Sequence, residues 1–134
     1  MKLRDSHRNQ RKVPRPSVRR ADPQVMVDEI EIDLERAIAF CSGVLGFDTT
    51  QRYGTGAAFL AAGGYHHHIG LNTWQGEGAP PAPVDALGLH HFAVELPDQQ
   101  AFDEVVARVQ KAGIPSNQME DGLLLHDPSQ NGII

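Results

Sequence analysis

The order strand, Asp-capped helix, glycine stop and three short strands occurs twice along the chain, and no other feature restricts its fold as much. In the first copy Asp33 precedes a run in which Leu34, Ala37, Ile38, Cys41, Val44 and Leu45 recur at helical spacing, and Gly46 ends the run. A carboxylate just before a helix accepts hydrogen bonds from first-turn amides, and glycine takes up the left-handed conformation that closes a last turn. In the second copy Asp98 precedes Phe102, Val105, Val106 and Val109, and Gly113 ends the run. The two aspartates lie 65 residues apart and the two glycines 67 apart. Each helix therefore has one apolar stripe, which must be buried against another layer. Strands are expected at 25–32, 47–53, 57–62 and 65–74, and again at 89–96, 114–119 and 122–126. Only Ile133 and Ile134 remain for a last strand, which is expected to be truncated. The expected class is α+β: paired βαβββ modules, at 25–74 and 87–134, forming a curved, partly open barrel around one pocket. The stretch QGEGAPPAPVDA, 75–86, is stiffened by Pro80, Pro81 and Pro83 and reads as the linker between modules.

Charge is distributed unevenly. Residues 1–24 hold eight of the twelve Lys and Arg against Asp5 and Asp22, so this segment is about +6 and the remainder about −11. With Pro14, Pro16 and Pro23 and few large apolar side chains, 1–24 is expected to be a disordered basic tail. It contains no aromatic residue on which a base could stack, which speaks against a nucleic-acid arm. No apolar run approaches the length that crosses a bilayer, and the N-terminus has no apolar secretory core. Cys41 is the only cysteine, which excludes a disulfide within the chain and a thiolate metal cluster. A cytoplasmic location is the expectation.

Five histidines form two clusters, His66–His68 and His90–His91. Strand alternation selects which of them converge. In 65–74, Tyr65 and His67 share a face with Ile69 and Leu71, while His66, His68, Gly70, Asn72 and Trp74 take the other. In 89–96, His90 falls with Phe92, Val94 and Leu96 on the helix-packing side, and His91 falls opposite with Ala93 and Glu95. Where the polar faces of both sheets line one cavity, His66, His68 and His91 meet inside it. Imidazoles gathered this way bind a borderline divalent metal. His68 and His91 are the candidate metal ligands and His66 the candidate catalytic acid or base. Tyr65, Asn72 and Trp74 are the candidate substrate contacts. His126, before the turn at Asp127, reads as a surface residue.

The runs DLERAIAFCSGVLGF (33–47), QRYGTGAAFLAAGGYHHHIGLNTW (51–74), GLHHFAVELPD (88–98) and LLLHDPSQNGI (123–133) resemble the vicinal-oxygen-chelate superfamily. That group includes glyoxalases, type I extradiol dioxygenases and bleomycin-resistance-type binding proteins. The GYHHHIGLNTW stretch is similar to its catechol 2,3-dioxygenase-like branch. The resemblance covers roughly 25–134. It implies a divalent metal, iron first and manganese or zinc next, and extradiol cleavage of a catechol-like aromatic. It equally admits a glyoxalase-like isomerase, or a drug-sequestering binding protein that uses no metal. His91 stands where the family brings a histidine on the first strand of its second unit. The matching position in the first unit is Met26, and the position of the family's late glutamate is Ile134; both are apolar. The implied partners are a small aromatic ligand and a second copy of the chain in a homodimer, with no membrane and no nucleic acid.

Overall fold

The computed structural model describes residues 2–8, 27–30, 33–74, 76–83 and 85–134. Strand β1 spans Lys2–Arg8 and β2 spans Val27–Ile30. Helix α1, Leu34–Phe40, runs into one wide turn of π-helix at Cys41–Leu45. Strands β3 (Asp48–Tyr53), β4 (Ala57–Ala61), β5 (Ile69–Asn72) and β6 (Gly88–Glu95) follow. After helix α2, Gln99–Lys111, come β7 (Ser116–Met119), β8 (Gly122–His126) and β9 (Gly132–Ile133).

The two copies read from the sequence have the same topology. One sheet has the order β2-β5-β4-β3, and the other contains β6-β9-β8-β7. In each, the first strand pairs parallel with the last, and the remaining pairs are antiparallel. The molecule is thus mixed α+β with two sheets, and neither sheet closes into a barrel.

Both helices begin as their sequence implies. Asp33 accepts from the Arg36 amide at 3.1 Å, and Asp98 from the Ala101 amide at 2.8 Å. Gly46, at φ 87°, ends the π-turn, and the Phe47 amide returns to the Cys41 carbonyl at 3.0 Å. The apolar stripe Leu34, Ala37, Phe40, Cys41, Val44 and Leu45 then lies on Ala58 and Leu60 of β4 and Ile69 and Leu71 of β5. Phe92, Val109, Leu125 and Ile133 of the second copy belong to the same buried cluster. A fully buried leucine such as Leu60 contributes about 1.5–3 kcal/mol. Arg108 of α2 joins the copies again, donating from Nε to the Val44 carbonyl at 2.7 Å.

The N-terminal segment departs from expectation at Lys2–Arg8, which pairs antiparallel along β6 from Lys2↔Glu95 to Arg8↔Gly88. Composition speaks only for side chains, whereas an open sheet edge recruits a strand through its backbone donors and acceptors. Residues 9–24 of the expected tail, and Met26, lie outside the described residues.

Candidate functional site

In β4 the side chains of Ala58 and Leu60 enter the core, so Phe59 between them faces away from α1. The His67 ring stacks on Phe59, with centroids 4.5 Å apart and planes 23° from parallel. Tyr53 meets the same phenyl ring edge-on at 5.5 Å. His67 was expected on the side of Ile69 and Leu71, and the structure corrects this. Strand β5 begins only at Ile69, so the two-residue period does not extend back over 65–68. Gly63 and Gly64, both at positive φ, turn the chain. The connector is then held by its backbone: His68 N–H donates to the Leu60 carbonyl at 2.7 Å, and the Thr50 hydroxyl donates to the His66 carbonyl at 2.6 Å.

Tyr65 packs between two imidazoles, with centroids 4.2 Å from His66 and 4.7 Å from His68. His66 is exposed, and His68 is buried, with 4% of its surface accessible. The Ala62 amide donates to His68 Nδ1 at 3.2 Å. A neutral imidazole whose Nδ1 accepts carries its hydrogen on Nε2, so in this arrangement neither nitrogen offers a metal a lone pair. Asn72 Oδ1 accepts from the Trp74 amide at 3.2 Å, closing the end of β5, and the Trp74 side chain is 80% exposed.

Strand β6 carries the second cluster and is not regular. Ser6 pairs with His91 and His7 with Leu89, so His90 is an extra residue in a bulge. Strict alternation would send His90 and His91 to opposite faces. The bulge instead brings their Nδ1 atoms within 2.7 Å, with ring centroids 5.0 Å apart and planes at 77°. It also lets both Leu89 and Val94 pack on the core, which an unbroken two-residue period forbids. Gly132 of β9 lies against this bulge. A Cβ there would sit 2.7 Å from the His90 carbonyl oxygen and 3.0 Å from His91 Cβ. His91 is half-buried, and His90 and His126 are exposed.

A cavity of about 860 Å³ lies elsewhere, between α2 and the second sheet. Val94, Phe102, Val105, Leu123 and Ile133 give it apolar walls, and Glu95, Asp98 and Asp121 stand among its lining. None of His66, His68, His91, Tyr65, Asn72 or Trp74 lines it. The expected single pocket around the histidines is therefore not where this cavity forms.

Among the described residues no three His, Cys, Asp or Glu side chains come together around a point where an ion could sit. His66 and His68 share Tyr65, whereas His91 pairs with His90. Ile134, at the position of the implied glutamate, offers an apolar side chain, and its backbone is used in the ladder to Phe92 and Val94. Among the described residues the donor set does not complete a divalent-metal site. Sequence reasoning missed Phe59, Tyr53 and Gly132. The alternation of AAFLA pointed to Phe59, whereas the closeness of Gly132 to the bulge has no local signal.

A model of the glyoxalase/bleomycin resistance protein/dioxygenase superfamily matches residues 30–128. A catechol-2,3-dioxygenase of Bacillus subtilis (strain 168) is 47% identical over 103 residues, which are 76% of this chain and 36% of the relative. The chain thus spans about a third of that relative's length. A lactoylglutathione lyase from Agrobacterium tumefaciens superposes with a TM-score of 0.60 at 21% identity, over 81% of this chain and 88% of its own. An antibiotic-binding protein from Streptomyces sp. CB03234 gives 0.57 at 20% identity, over 86% and 95%. These two likenesses concern the fold alone. Repeated βαβββ topology and the family match lead to one assignment: the chain belongs to the glyoxalase/bleomycin resistance protein/dioxygenase superfamily.

Proposed function

We propose that this chain takes part in extradiol-type oxygenation of a catechol-like aromatic, and that its own share is to bind and orient the ring. The observation that carries this is the 47% identity to a catechol-2,3-dioxygenase. The cluster of rings on the first sheet supports it. Phe59 stacks on His67 and meets Tyr53 edge-on, His67 meets His66 edge-on, and Tyr65 tilts against His66 and His68; flat aromatic faces attract a flat ligand. In this reading His91 accepts a hydrogen bond from a ring hydroxyl, and exposed His66 exchanges a proton with solvent. Tyr65, Asn72 and Trp74 border the ligand. Oxygenation of this type is supplied by a divalent metal, whose donor set the described residues do not complete.

That incomplete donor set favours a second reading, a binding protein without chemistry. Oxygen consumption separates the two. The purified chain is mixed with catechol in air, with and without ferrous iron, while dissolved oxygen and the ring-opened product are followed. Iron-dependent uptake above the protein-free blank supports oxygenation. Saturable catechol binding with no uptake supports the binder, and absence of both removes both readings.

A further inference from the structure

His90 has no part in the function proposed above, yet it occupies the irregular residue of β6. We propose that His90 is a positioning residue: it accepts a hydrogen bond from His91 Nδ1–H and so keeps the His91 lone pair on Nε2. The inference rests on the reading of His91 as the acceptor for a ring hydroxyl.

Three observations carry it. Adjacent residues of a regular strand point to opposite faces, so two neighbouring imidazoles meet only because the bulge re-aims one of them. The Nδ1 atoms are 2.7 Å apart, a distance at which one must donate and the other accept. A Cβ added at Gly132 would sit 2.7 Å from the His90 carbonyl oxygen and 3.0 Å from His91 Cβ, so β9 runs close against the bulge with room for no side chain.

Chemistry selects the direction of the bond. His90 is exposed, and an Nε2–H on its ring has water to donate to. His91 is half-buried and is the ring assigned to the ligand. A ring hydroxyl is a donor, so the nitrogen that meets it must be an acceptor. That leaves Nδ1 of His91 as the protonated atom and Nδ1 of His90 as its partner. The interaction resembles the outer partners that fix ring orientation and tautomer in other histidine sites.

The test uses the full chain with ¹⁵N-labelled histidine. Long-range ¹H–¹⁵N spectra are recorded over a range of pH and read where neither ring shows the doubly protonated pattern. The expected wild-type result is His91 in the Nδ1–H form. His90→Phe removes the acceptor and is expected to mix the two forms and weaken catechol binding about five- to tenfold, the worth of one hydrogen bond. His90→Asn keeps an acceptor near the same place and is expected to restore both. His91 found as Nε2–H in the wild type overturns the inference. So does an unchanged His91 signal in a folded His90→Phe, or failure of His90→Asn to restore the signal. The wild-type spectrum decides even where His90→Phe does not fold. The ring state is read without ligand, so a chain with the expected tautomer that does not bind catechol overturns the functional reading and not this assignment.

Discussion

At Gly132 two strands approach so closely that a single methyl group has no place. The atoms it would meet are the carbonyl oxygen of His90 and the Cβ of His91, and backbone cannot swing aside as a long side chain does. Gly132→Ala is expected to destabilise the chain by about 1–3 kcal/mol, read as a lower urea midpoint with an unchanged slope. A midpoint equal to that of the wild type would mean that β9 does not abut the bulge. The same contact explains why the histidine pair was only half legible in the sequence. The residue types and the strand were evident from GLHHFAVEL, but the bulge that turns both rings together is set by strands far away in the chain. For His67 and His68 the difficulty was the start of a strand. Alternation was carried four residues too far back, over a connector whose course is fixed by Gly63, Gly64 and bonds to Leu60 and Thr50.

At the level of elements, the helices were legible because their signals are local. Asp33 and Asp98 cap them as their positions implied, and Gly46 and Gly113 both take positive φ at or just beyond the helix ends. The two caps are duplicates of one device. Asp33→Ala and Asp98→Ala are each expected to lower stability by about 1 kcal/mol, with Asn at either position retaining most of it. Thermal unfolding of the four variants checks this, and a neutral Asp→Ala at either site would contradict the capping account there. Strand β1 had no such local signal. A segment rich in Lys and Arg with few apolar residues reads as unstructured, but pairing with an exposed edge depends on the partner's backbone.

On the scale of the whole molecule, one buried cluster spans both copies of the module, and Arg108 bonds one copy's helix to the turn that ends the other's. The topology fixes the two sheets as equivalents, yet their histidines follow different local rules: a glycine-turned connector in one and a bulge in the other. Among the described residues no helix is long and apolar enough to cross a membrane. Fold and family follow from this level, whereas the chemistry depends on a few side chains and on whether a ligand meets them. The most direct measurement is anaerobic calorimetric titration of the chain with catechol, repeated on His91→Ala. The account predicts saturable binding at one site per chain, weakened about fivefold or more when the imidazole is removed. No saturable heat, or an affinity indifferent to His91→Ala, would contradict it.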